Sequence, residues 1–127
     1  MAVTISSLAD GVTAWTALTN IFSTGNHSKA ALVRNIRFVN ADDAITANLT
    51  VAFVRTTGGT AGSARLITAS PVSIPPHGLF VIEQEISLEY SGATPTISDA
   101  LQVKAVQAGT NTAASLDYVI SGVERDS

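Results

Sequence analysis

A long stretch of alternating residues, 31–55, constrains the fold of this chain more than any other feature of the sequence. Apolar and polar side chains alternate with a period of two on both sides of a polar segment, 40–48, as they do in half-buried strands. The β-branched and aromatic residues of the stretch favour the same structure. We therefore predict two strands joined by a polar turn, which form the central hairpin of an all-β domain. The predicted interior residues are Leu32, Ile36, Phe38, Leu49, Val51 and Phe53.

One residue of this stretch conflicts with the pattern. Arg34 falls in register with the inward-facing set of the first strand, where an unpaired charge would be costly. Two explanations remain open at the level of the sequence. Either a bulge turns Arg34 outward, or Arg34 pairs with an acid such as Glu83 or Asp117.

The rest of the chain contains shorter apolar or alternating segments, separated by turn residues at intervals of about 8 to 12 residues. We predict loops at 24–29 and at the Gly-rich segment 56–63, a buried strand at 79–82 and one strand over 86–90. The pattern predicts an antiparallel β-sandwich of about seven to nine strands, jelly-roll or immunoglobulin-like in topology. Residues 1–11 are expected to form an N-terminal arm or edge strand, and 12–127 a single β-sandwich domain.

Composition excludes several classes of function. The chain has 127 residues and no cysteine, so a disulfide framework and thiolate chemistry are excluded. Its net charge is -3 and it has no basic run, which argues against a nucleic-acid partner, and its apolar runs are too short for a membrane helix. Only 13% of the residues are charged, which is low for a soluble domain. Either the surface is bland, or much of it is buried against other subunits.

The side chains that could carry chemistry are few and scattered. His27 and His77 lie in predicted loops without the spacing of a zinc site. Asp42 and Asp43 lack the spacing of a calcium loop and predict an ordinary Asp-rich turn. The carboxylates Glu83, Glu85 and Glu89 would share one strand face, and they predict a solvated face that protects a sheet edge rather than a glycosidase pair. We expect no catalytic residue, no metal and no cofactor.

The order of the segments nevertheless resembles that of a known group of proteins. The relevant segments are TAWTALTNIF (13–22), ALVRNIRFVN (31–40), the alternating strand 49–55, GGTAG (58–62), PPHGLFVI (75–82) and DYVISGVE (117–124). In this order the chain resembles small all-β structural proteins of tailed-bacteriophage virions. The resemblance implies a non-enzymatic subunit, either a capsid decoration (cement) protein that binds and stabilises the head lattice, or a tail- or fibre-associated or receptor (carbohydrate)-binding module.

The resemblance also implies partners and a location. The expected partners are further copies of the chain, as a homotrimer, and the major capsid protein or tail proteins, with no nucleic acid and no membrane. The expected location is the virion, on the capsid surface or tail, after synthesis in the host cytoplasm. The candidate interface residues are Val3, Ile5, Leu8 and Trp15. Trp15, the one tryptophan, is expected in the core or in a subunit interface rather than as a ring that stacks on a ligand.

Overall fold

The computed structural model describes residues 3–68 and 71–125. In this part the chain forms two antiparallel sheets around a shared core and one short helix, α1 (Thr24–His27). The first sheet has five strands: β1 (Val3–Val12), β3 (Ala30–Val39), β8 (Leu79–Ile82), β9 (Ile86–Leu88) and β12 (Asp117–Arg125). The second sheet has seven: β2 (Thr19–Ser23), β4 (Ala47–Thr57), β5 (Thr60–Ala61), β6 (Arg65–Leu66), β7 (Val72–Ile74), β10 (Tyr90–Ser91) and β11 (Ile97–Gln107).

The short strands share rows, so each sheet is four rows wide. β8 and β9 pair with successive parts of one edge of β3, β2 and β10 with one edge of β11, and β5, β6 and β7 with one edge of β4. Numbered along the chain, rows 1 to 4 begin with β1, β2, β3 and β4, row 5 is β5 to β7, row 6 is β8 and β9, row 7 is β11 and row 8 is β12. The first sheet then has the order 1-8-3-6 and the second 2-7-4-5. All pairings are antiparallel. This is the double-sheet topology of a jelly roll.

The predicted antiparallel β-sandwich is therefore confirmed, and of the two topologies left open the structure has the jelly roll. Twelve strands are present in the described residues, against the seven to nine predicted, and nine of them have three or more residues. The additional strands are two-residue pairings along the outer edges of β4 and β11. Such short pairings leave no alternation for a sequence pattern to reveal.

The core lies between the two sheets, where their inward side chains meet. On the first sheet Ile36, Phe38 and Ile120 are fully buried, and on the second Leu49 and Val51 are fully buried. Burial of one such side chain stabilises the folded state by roughly 1.5–3 kcal/mol. Four of the six predicted interior residues thus lie at the centre of the core.

The prediction that residues 31–55 form a hairpin is wrong. β3 and β4 belong to different sheets, so the two strands face each other across the core and do not pair. The link between them is a corner held by Asn40, which is 2% exposed. The Nδ2 atom of Asn40 donates to the carbonyl oxygens of Ile45 (2.8 Å), Ile74 (3.1 Å) and Pro75 (3.2 Å). Alternation reports which face of a strand is buried, but not which sheet the strand joins.

A bulge in β3 resolves the conflict at Arg34. In the pairing of β3 with β12, Ser121 lies opposite Asn35 and Gly122 opposite Val33, so Arg34 is the extra residue and is exposed. The bulge reverses the alternation before it, and as a result Val33 is buried instead of Leu32. Leu32 is half-buried on the outward face, which corrects the prediction that it lies inside. Phe53, the remaining predicted interior residue, packs partly buried against the core.

Three local predictions also need correction. The segment 24–29 begins with α1 rather than a loop, because the Ser23 side chain accepts a hydrogen bond from the Gly25 backbone N–H at 3.2 Å. The predicted loop 56–63 contains a tight hairpin of β4 and β5, in which Gly58 and Gly59 both have positive φ, as a type I′ turn requires. The predicted buried strand 79–82 is the outer row β8, and its Leu79 is exposed.

Candidate functional surface

The predicted strand 86–90 is interrupted at Glu89, where the chain crosses from the first sheet to the second. β9 ends one residue before Glu89 and β10 begins one residue after it. The Glu89 backbone N–H donates to Asp99 Oδ2 at 2.7 Å, and Thr24 Oγ1 donates to the Glu89 carbonyl oxygen at 2.8 Å. Thr24 Oγ1 also accepts a hydrogen bond from the Asp99 backbone N–H at 2.9 Å. The side chains of Thr24 and Asp99 thus provide hydrogen-bond partners for the backbone groups at the crossover, because buried backbone groups need such partners.

An arginine neutralises the carboxylate at this crossover. Asp99 is fully buried, and Arg55 binds it in a two-point contact, Nε to Oδ1 at 2.8 Å and Nη2 to Oδ2 at 2.9 Å. Arg55 Nη2 also lies 3.0 Å from Glu89 Oε2. The hydrogen bond to Asp99 raises the pKa of Arg55 further above its ordinary value, so the guanidinium stays charged. A carboxylate held in this way serves as a structural anchor.

Sequence reasoning did not single out Thr24, Arg55 or Asp99. One signal was available, because Asp99 is in phase with Leu101, and Arg55 with Phe53, so both charged residues fall on the core side of their strands. The register places Asp99 directly opposite Arg55. No sequence pattern in the chain specifies the register of β4 against β11, and only that register shows that Arg55 pairs with Asp99.

The aspartates of the β3–β4 corner form the predicted Asp-rich turn. Asp42 Oδ1 accepts hydrogen bonds from the backbone N–H groups of Ala44 (2.8 Å) and Ile45 (2.9 Å). These hydrogen bonds stabilise the charged form and lower the pKa of Asp42 below its ordinary value. Asp43 and His77 are both exposed, with 2.9 Å between Asp43 Oδ1 and His77 Nε2. This pair joins the corner to the turn that precedes β8.

The other candidate side chains are dispersed. His27 lies at the end of α1, with its Nδ1 3.0 Å from Glu124 Oε2 and its ring 4.9 Å from that of Phe22. Glu83 and Glu85 are exposed between β8 and β9, outside any strand, so they do not share a strand face with Glu89 as predicted. Within residues 3–68 and 71–125, no group of three or more His, Asp or Glu side chains could hold a metal ion. In the same part of the chain, no helix is long and apolar enough to cross a membrane.

The four candidate interface residues occupy different environments. Val3 and Ile5 belong to β1, where they pair with Arg125 and Val123 of β12, but their side chains lie outside the described part of the structure. Leu8 is 6% exposed and belongs to the core. Trp15 is half-buried and packs against the core, between β1 and β2. A role of these residues in an interface stays a prediction, and of the two described side chains Trp15 has the larger free surface.

A groove of about 350 Å³ opens between the outermost rows of the two sheets. Ile67 and Val72 line it from the second sheet, and Phe80 and Ile82 from the first. Glu83 and Gln84 add a carboxylate and an amide at the end of β8. The groove thus combines an aromatic ring with hydrogen-bonding side chains.

Comparison with solved structures gives two similar chains, both from infectious bursal disease virus. The chain in the structure of the Gt strain matches with a TM-score of 0.53 and 13% identity, over 97% of this chain. The chain in the structure of the Gx strain matches with a TM-score of 0.50 and 14% identity, also over 97%. This chain spans 32% of the length of each of them. At this identity the likeness shows the fold. No protein-family model and no curated protein matches the chain.

Proposed function

We propose that this protein is a non-enzymatic structural subunit of a virion. The observation that carries the proposal is the jelly-roll topology, whose likeness to chains of infectious bursal disease virus extends over 97% of the residues. The low charged fraction of 13% supports it, because a subunit surrounded by neighbours has less need of a charged, solvated surface. Within residues 3–68 and 71–125 no strand pairs with the outer edges of β1 and β8, which is a further reason to expect neighbours, since free strand edges tend to pair with other chains.

The particular role that we propose is capsid decoration. On the resemblance of its segments to those of tailed-bacteriophage virion proteins, the chain is a cement subunit that binds the major capsid protein and stabilises the head lattice. The same resemblance supports a homotrimer as the unit that binds. Its proposed location is the capsid surface, and the tail is the alternative.

Co-sedimentation with purified virion parts tests this role. The purified protein is mixed with empty capsids lacking it, and separately with tails. We expect saturable binding to capsids in a fixed ratio to the major capsid protein, and capsids that open at a higher temperature when the protein is bound. Binding to tails alone would move the protein to the tail. A stable monomer that binds neither part would overturn the proposal.

A second candidate function, carbohydrate binding in receptor recognition, is favoured by the groove beside β8. Sugar sites commonly combine an aromatic face with carboxylate or amide partners, and Phe80, Glu83 and Gln84 offer this combination. A glycan array tests this function, with the Phe80→Ala variant as the probe and Trp15→Ala as the comparison outside the groove. Glycan binding that Phe80→Ala abolishes would favour receptor binding over decoration. An array without signal removes this candidate.

A further inference from the structure

Two cross-strand rows place apolar side chains side by side on the outward face of the first sheet. The register aligns Val12, Asp117, Val39 and Leu79 across β1, β12, β3 and β8. Two residues along, it aligns Asp10, Val119, Arg37 and Val81. Residues two apart on a strand share a face. The neighbours Phe38, Tyr118 and Ile120 are buried, so both rows face outward.

This outward face exposes large apolar side chains. Val12 is 52% exposed and Leu79 is 59% exposed, and they are two of the three exposed large apolar residues in the described part of the structure. Val39 lies beside Leu79 in the same row, Val81 and Val119 lie in the adjacent row, and all three are half-buried. Val39, Leu79 and Val81 adjoin one another, and a contiguous apolar surface marks an interaction site more often than scattered exposed residues do.

Three exposed charged residues of both signs lie on the face: Asp10, Arg37 and Asp117. Arg37 and Asp117 lie on neighbouring strands, in adjacent rows, and both are exposed. Within residues 3–68 and 71–125, neither of them forms an ion pair. Arg37 and Asp117, diagonal to each other beside Val39 and Val119, are complementary to the same pair on a second copy when a two-fold axis passes between them. Asp10 lies at the outer end of its row, outside this pair.

We propose that this face binds the same face of a second copy of the chain about a two-fold axis. Val39, Val119 and Leu79 of each copy form the apolar part of the contact, and Arg37 of each copy meets Asp117 of the partner subunit. A partner with a strongly acidic or basic surface fits less well, because an acidic surface would meet Asp10 and Asp117 and a basic surface would meet Arg37. This two-fold contact rests on the self-association proposed above and adds to it, since the contact would join two trimers, or two single chains, into a pair.

The mass of the protein in solution tests this contact, and a matched control is available. Leu66 is as exposed as Leu79, at 59%, but lies on β6 of the second sheet. We expect an even-numbered assembly of the unaltered protein, a hexamer if it trimerises and a dimer if it does not. Leu79→Arg should halve that mass and weaken the pairing by about tenfold or more, while Leu66→Arg should leave it unchanged. Sedimentation equilibrium over a range of concentrations measures both.

The outcomes separate this contact from the proposed trimer. A mass that falls from hexamer to trimer supports both contacts, and one that falls from dimer to monomer supports the two-fold contact and removes the trimer. A trimer that Leu79→Arg does not change would overturn the two-fold contact alone. A monomer at all concentrations would overturn both. Circular dichroism of each variant shows that a lower mass comes from a folded chain.

Exchange of the charges tests the orientation of the two copies. Arg37→Glu and Asp117→Arg should each weaken pairing, because each brings like charges together across the two-fold axis. When the two variants are mixed, each altered residue meets an opposite charge on the other chain. We expect the mixture to recover paired species that contain one chain of each variant, which native mass spectrometry resolves. If the mixture pairs no better than the separate variants, the proposed orientation is wrong.

Discussion

At the scale of single residues, Asp42 shows how one exposed carboxylate shapes a loop. Its two hydrogen bonds from the backbone of Ala44 and Ile45 turn the chain at the corner between β3 and β4. The bonds lower the pKa of Asp42 from its usual value of 3.8. A carboxylate whose pKa is lower in the folded protein contributes stability above its unfolded pKa, and that contribution is lost as the pH falls through the folded pKa.

The Asp42→Asn variant tests this contribution. Its amide oxygen accepts the same hydrogen bonds but carries no charge and does not take up a proton in acid. We expect the wild type to be the more stable of the two at pH 7, and this advantage to shrink as the pH falls below about 3.8. Urea unfolding of both proteins from pH 7 to pH 2 measures the difference. A difference that does not vary with pH would show that the charge of Asp42 contributes nothing to the turn.

Gly122 is the residue that lets β12 approach the bulge in β3. A Cβ atom added to Gly122 would overlap the carbonyl oxygen of Leu32, which is backbone and cannot rotate away. We expect Gly122→Ala to destabilise the fold by about 1–3 kcal/mol, as forced overpacking does. The matched control is Gly25→Ala, whose added Cβ would meet Ser23 and Ser98 only at 3.4 Å, an ordinary contact distance. Thermal unfolding compares the two, and equal losses would contradict the role assigned to the bulge.

At the scale of the elements, the crossover at Glu89 depends on the ion pair of Arg55 with Asp99. Removal of one partner from a buried pair costs about 3–5 kcal/mol because the other charge is left unpaired. The Arg55 side chain is 42% exposed, so we expect Arg55→Met to fall at the lower end of that range. Glu89→Gln, which alters only the exposed contact to Arg55, should cost less than about 1 kcal/mol. Chemical denaturation measures both, and similar losses would show that the pair with Asp99 is not the anchor.

The elements also show how far alternation alone predicts this fold. In β12 it places Tyr118 and Ile120 on the same face, and both are buried. In β3 it misplaces Leu32, because the bulge depends on Gly122, a residue distant in sequence. The outward face of the first sheet was harder to predict. Its apolar residues Val12 and Leu79 are more than sixty positions apart in the sequence, and only the strand register brings them into one row.

At the scale of the whole molecule, the inner rows and the outer rows differ in how firmly they are held. β4 and β11 pair over eleven successive residues, and β3 and β12 also have a neighbour on each edge. β5 and β6 pair over two residues each. We expect amides of β3, β4, β11 and β12 to exchange only through global unfolding, and those of β5 and β6 to exchange at least about a hundredfold faster through local opening. Amide exchange followed by NMR measures this, and uniform protection would contradict it.

The pairing of β1 with β12 determines how the domain could be inserted into another protein. Val3 lies directly opposite Arg125, so the polypeptide enters and leaves the jelly roll side by side, at a separation of about 5 Å. A loop of another protein would need to open by no more than that to accept the whole domain as an insertion. Polypeptide that precedes Val3 and polypeptide that follows Arg125 therefore leave the sandwich at the same corner.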